Sequence, residues 1–188
     1  MNNRANILNC ALQLFALHGY DAVGVQEIVE AAGITKPTLY HYFGNKQGLL
    51  ETLLNEYSEQ LLSSVTNAVI YERDLPRTLT RIATAYFNFA QANSTFYRLQ
   101  LSTWFAPPAS AAYKVVARIN EKQYRLLEDL FIRAVEQHGN MRGRHQAYAA
   151  TFLGMLNNYI SLFLNGYTQL SDELVHQAVH QFMYGIFS

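Results

Sequence analysis

Between residues 25 and 43, two amphipathic helical patterns are separated only by Ala32-Gly33-Ile34, and this short hinge constrains the fold more than any other feature of the sequence. Gly33 supplies a tight turn, Ile34 an apolar plug, and Thr35 an N-cap whose hydroxyl can satisfy an early backbone donor. Ile34 and Leu39 have the spacing of a hydrophobic staple, and Pro37 in the first turn sacrifices no hydrogen bond. The helix ends near Phe43-Gly44. The helix before it starts at Gly24, a cap with no side-chain acceptor. Glu27 can reach back to the cap amide, and Val23 and Ile28 form a second staple. Upstream, Ile7, Leu8, Ala11, Leu12 and Phe15 recur with helical period, and His18-Gly19 closes that helix. Three short helices with this hinge predict a helix-turn-helix, whose second helix enters the major groove of DNA. Leu39 and Phe43 would face inward, leaving Lys36, Pro37, Thr38, Tyr40 and His41 outward. Periodicity alone fits a small helical subdomain with a solvated face equally well.

Beyond the hinge, Asn45 caps a longer helix carrying Leu49, Leu50, Leu53, Leu54, Tyr57 and Leu61 on one face. Further helices are expected over 75–92, 94–105, 109–138, 144–165 and 171–186, with breaks at Asp74-Leu75-Pro76, Asn93-Ser94, Pro107-Pro108, Gly139-Asn140 and Gly166 to Ser171. No strand pattern competes. The expected fold is all-α with about nine helices, divided into a three-helix domain at 1–46 and a larger helical bundle at 47–188.

Composition removes several function classes. Fourteen basic residues face fourteen acidic ones, so a nucleic-acid interface must rest on local geometry rather than bulk charge. The first fifty residues also balance, with Arg4, Lys36 and Lys46 against Asp21, Glu27 and Glu30. Asn157, Asn158, Ser161 and Asn165 interrupt the most apolar stretch, and Asn6, Asn9 and Gln13 spoil any secretory signal, so a cytoplasmic protein without a membrane segment is expected. The single cysteine, Cys10, is expected to be a buried, inert thiol. His176 and His180 are spaced for a shared metal but lack a third ligand, and Arg142, Arg144 and His145 form a small solvated basic loop. With no phosphate loop or nucleophile motif, neither enzyme activity nor a cofactor is expected.

The wording of residues 4 to 54 adds a resemblance. Gly19-Tyr20, Val25-Gln26-Glu27-Ile28, the run Ala31-Ala32-Gly33-Ile34-Thr35-Lys36-Pro37-Thr38-Leu39-Tyr40-His41-Tyr42-Phe43, Asn45-Lys46 and Leu49-Leu50 closely resemble the N-terminal domain of TetR-family transcriptional regulators. The resemblance implies a repressor released from double-stranded operator DNA by a small, largely apolar ligand. It makes Thr35, Lys36, Pro37, Thr38, Tyr40 and His41 the DNA-facing set, with Tyr40, His41 and Lys46 at phosphates. Gly24 departs from the Ser or Thr that the family often has there, which removes one phosphate donor. The effector site is implied among the middle helices, with Tyr86, Phe89, Trp104, Tyr113, Tyr124 and Phe152 as its lining and an aromatic or lipophilic, uncharged effector. The last two helices look suited to a homodimer. Ala150, Gly154, Asn158 and Ser161 form a small-residue strip, and Leu174, Val175, Ala178, Val179, Phe182, Met183 and Ile186 a partner stripe. A helical sensor without DNA binding is the alternative.

Overall fold

The computed structural model describes residues 3–137 and 139–185. Its described residues form nine α-helices and no strand: α1 (Asn3–His18), α2 (Val25–Ala32), α3 (Lys36–Phe43), α4 (Lys46–Ala68), α5 (Leu75–Ala92), α6 (Ser94–Trp104), α7 (Ala111–Ala134), α8 (His145–Leu164) and α9 (Asp172–Tyr184). The all-helical expectation holds. The helix read over 109–138 ends earlier, at Ala134, where Val135 to Gln137 form turns and a single 3-10 turn follows at Gly139–Met141. Ile186 lies outside the described residues. Packing divides the chain into a first unit, reaching to Glu59 and including Thr95–Ile119, and a second made of Gln60–Ser94 with the residues from Asn120 onward. This partition by packing differs from the division at residue 46 read from the motif.

In the first unit, α1 buries the stripe Ile7, Leu8, Ala11, Leu12 and Phe15 and packs on α2, which packs on α3. The hinge closes as a Schellman turn. Gly33 is left-handed at φ 64°, its N–H reaching Glu30 O at 3.2 Å, and the Ile34 N–H returns to Val29 O at 3.0 Å. The remaining carbonyls at that helix end take partners from α1. Asn6 Nδ2 donates to Ala32 O at 2.8 Å, and Cys10 Sγ lies 3.5 Å from Ala31 O. Cys10 is therefore half-buried, not the fully buried thiol expected, because it flanks this last turn instead of pointing into the core. A second departure concerns Thr35. Its backbone caps α3, with its carbonyl accepting from Leu39 N–H at 3.2 Å, but its hydroxyl pairs with the Thr38 hydroxyl at 2.9 Å instead of an early amide. A hydroxyl one turn away competes successfully for that bond.

The far end of α3 is held as tightly. Gly44 adopts φ 72° and its N–H bonds Tyr40 O at 2.8 Å, while Asn45 Oδ1 accepts from Gly48 N–H at 2.8 Å as the predicted cap of α4. A Cβ at Gly48 would be driven into the Phe43 backbone carbonyl, well inside van der Waals contact. Lys46, the first residue of α4, donates to the carbonyls of Tyr20 and Val23, each at 2.8 Å, with its ammonium 4.3 Å from the Tyr20 ring centroid. Burial holds that ammonium below the usual lysine range, against an opposing pull from Asp21. Arg4 pairs with Glu56 and lies 5.9 Å from the Phe43 ring centroid.

In the second unit α5 is the central helix. It buries Leu79, Ile82, Tyr86, Phe87 and Phe89 among others, and packs on α8 and α9. Asp74 Oδ1 caps it through Arg77 N–H at 2.9 Å, and Ser171 Oγ caps α9 through Leu174 N–H at 3.2 Å. Phe182 of α9 meets Phe152, Phe131 and Tyr148 at centroid separations of 5.0, 6.0 and 6.4 Å. Val175, Ala178 and Val179 are buried within the chain itself, so much of the stripe read as a partner surface is occupied by the protein's own core. No helix among the described residues is long and apolar enough to cross a membrane.

Two stability outcomes are expected. Gly48→Ala replaces glycine inside a helix, a change that normally stabilises by about 1 kcal/mol. Here it should lower the urea midpoint, with a loss of roughly 1–3 kcal/mol from overpacking. Lys46→Met keeps the stem but strands two carbonyls, and chemical denaturation should show a loss of about 1–3 kcal/mol.

Candidate nucleic-acid interface

An eight-residue helix is about 12 Å long, short enough to lie in a major groove of comparable width. α3 turns Leu39 and Phe43 inward, where they are buried, and leaves Thr35, Lys36, Pro37, Tyr40 and His41 exposed, with Thr38 half-buried. The structure thus brings six of the seven residues read as DNA-facing onto one accessible surface. Their chemistry suits a phosphate backbone and base edges: two hydroxyls, a phenol, an imidazole and one ammonium, all able to donate. Tyr40 is 44% exposed, and so is Tyr42, at 41%, a residue the sequence analysis passed over. The Tyr42 ring packs edge-on against His41 at 5.4 Å between centroids, which extends the aromatic edge of the same surface. The signal was available, since an inward pair at 39 and 43 leaves position 42 on the flank.

Lys46 differs from the other six. Two of its three ammonium protons are committed to the Tyr20 and Val23 carbonyls, so it fixes the α1–α2 connector against the start of α4 and keeps one proton for an outside acceptor. The exposed side chains of α2 add no positive charge. Glu27 and Glu30 are exposed there, and Gln26 Nε2 donates to Glu30 Oε1 at 2.6 Å.

The six aromatics read as effector lining divide between the units. Tyr86, Phe89, Tyr124 and Phe152 belong to the second, Trp104 and Tyr113 to the first. Tyr86 is fully buried, donates to Gln123 Oε1 at 3.0 Å, and has its phenol pushed well up by burial. Phe89 and Phe152 are buried, and half-buried Tyr124 donates to Gln146 O at 2.9 Å. Trp104 and Tyr113 are half-buried. His176 and His180 edge an open groove of about 530 Å³ beside Pro76 and Met183, and no cluster of three or more potential metal ligands occurs among the described residues. His145, read as part of a solvated loop, is half-buried with Nε2 3.4 Å from Glu128 Oε1.

Comparison with known proteins matches this geometry. Residues 7–53 match the family model of bacterial regulatory proteins, tetR family. The HTH-type transcriptional activator FasR of Mycolicibacterium smegmatis is 32% identical over 114 residues, covering 60% of this chain and 52% of FasR. The HTH-type transcriptional regulator YuxN of Bacillus subtilis is 26% identical over 183 residues, covering 91% of this chain and 60% of YuxN. The chain therefore spans about half to three fifths of the length of these relatives. Among solved structures, the transcriptional regulator FadR from Bacillus subtilis in complex with stearoyl-CoA shares the fold, with a TM-score of 0.80 at 17% identity, covering 97% of this chain and 98% of that one. Residues 7–53 thus carry the N-terminal domain of the tetR family of bacterial regulatory proteins.

Proposed function

We propose that the protein is a DNA-binding transcriptional regulator, a repressor that leaves its operator when a small, largely apolar ligand binds. The observation that carries this reading is the α3 surface. Thr35, Lys36, Pro37, Tyr40 and His41 stand free of the chain's own packing while Leu39 and Phe43 anchor the helix from behind. Thr38 contributes a hydroxyl to the same surface, and Lys46 contributes its remaining proton to a phosphate. Tyr40 and His41 act chiefly at phosphates. An aromatic or lipophilic effector is supported by the apolar character of the buried side chains and by the acyl-CoA held by the solved FadR neighbour.

The regulator acts as a homodimer, because a two-fold operator requires two recognition helices about 34–36 Å apart or at multiples of that. Ala150, Gly154 and Asn158 lie exposed along α8, leaving that helix open to close approach by a second copy. Effector binding then shifts the dimer between two spacings of its recognition helices. A coupling of about 1–3 kcal/mol changes operator affinity roughly 5- to 150-fold.

Gel shifts with the DNA upstream of the protein's own gene test the assignment: wild type should bind and Tyr40→Ala should bind much more weakly. Equal binding by the two would remove the site. Since the interface carries few charges, the logarithm of affinity should fall with the logarithm of salt on a slope well short of about −10. Sedimentation at micromolar concentration should report a dimer, and a monomer would contradict operator binding by a two-fold assembly.

A further inference from the structure

Gln100 stands on α6 in the first unit with its side chain fully buried, and neither its amide nitrogen nor its amide oxygen has a hydrogen-bond partner. One turn away on either side, Phe96 and Thr103 are buried too. The Thr103 hydroxyl is already engaged, 2.9 Å from both the Leu99 and the Gln100 backbone carbonyls. A carboxamide carries two donor hydrogens and two acceptor lone pairs, and native interiors rarely leave such a group wholly unmet. Gln123 in the second unit is half met, since its Oε1 accepts from Tyr86 while its Nε2 has no partner; Gln100 is unmet at both atoms. Ser58 Oγ on α4 is a third buried polar atom of the first unit without a partner.

We propose that Gln100 is the recognition group of an effector site, and that its ligand is a neutral molecule with an apolar body and a primary amide or lactam head. This rests on the ligand-responsive regulator reading and specifies its ligand class. The outer edge of a carboxamide presents an N–H beside a C=O. Another amide returns the complementary C=O beside N–H, closing two hydrogen bonds at once. A carboxylate satisfies the nitrogen but sets a negative oxygen against Gln100 Oε1, and among the described residues no charged side chain is buried to neutralise it. The buried neighbours Phe96, Tyr97 and Leu99 suit an apolar body.

The test is thermal unfolding of the full-length protein with hexanamide or hexanoate at pH 8, for wild type, Gln100→Met and Gln100→Leu. Hexanamide should raise the wild-type Tm in a concentration-dependent way, hexanoate should not, and both variants should lose the shift. Without ligand, at least one variant should melt a few degrees above wild type, since an unmet buried amide has been replaced by an apolar group. If both variants melt below wild type, the amide is already satisfied by ordered water and the proposal fails. It fails equally if hexanamide gives no shift, if hexanoate matches it, or if the variants keep it. Operator binding in the same preparations separates the two claims. DNA binding without an amide shift overturns this inference alone, whereas an amide shift without DNA binding keeps the site and removes the regulator reading.

Discussion

A helix of eight residues that buries only Leu39 and Phe43 cannot fix its own direction, and the interface depends on how the two ends of α3 are clamped. In isolation such a helix is far below the length that sustains itself in water. At its start, the left-handed Gly33 closes α2 and turns the chain, and Asn6 from α1 occupies the carbonyl of Ala32 beside the turn. At its end, Gly44, the Asn45 cap and the bare backbone of Gly48 let α4 begin almost on top of the Phe43 carbonyl. Lys46 then ties the opening of α4 to the connector between α1 and α2. The outward side chains of α3 are oriented by these contacts, none of which they make themselves.

The same clamps explain how a chain with no net charge can present a surface suited to an anionic partner. Donors need not be cationic when they are held in register, and hydroxyl, phenol and imidazole groups on one face supply hydrogen bonds whose value comes from position. The cost is that one of the few local cations, Lys46, is largely consumed in holding the scaffold. On the proposed reading, affinity rests on geometry more than on counterion release and is correspondingly sensitive to anything that tilts α3.

The second unit obeys a different logic. α5 is buried along most of its length, and α8 and α9 pack on it with a cluster of rings centred on Phe182. Aromatics at helical spacing fill that core, as bundles of this kind generally do. Tyr86 is packed and hydrogen-bonded like a core residue. The more informative group lies in the first unit: on the proposed reading, the unmet carboxamide of Gln100 says more about ligand chemistry than any ring, because an apolar side chain is content with packing and a buried amide is not.

What the sequence determined by itself was everything that depends on neighbours within about one helical turn: helix periods, the Asn45 cap, the breaks at Asp74-Leu75-Pro76 and Gly166 to Ser171, the Gly33 hinge, and the inward pair that leaves Lys36, Tyr40 and His41 outside. What only the tertiary structure decided depends on residues far apart in the chain. Asn6 meets Ala32 across 26 positions, and Lys46 meets Tyr20 across another 26, so a residue read as a break in a signal segment and another read as a phosphate ligand became structural ties. The enclosure of Gln100, the half-exposure of Cys10 and the burial of Val175, Ala178 and Val179 within the chain are of the same kind. Local pattern specifies which face of a helix is apolar, but which other surface covers that face, and which polar atoms are thereby cut off from water, is settled only when distant segments pack together.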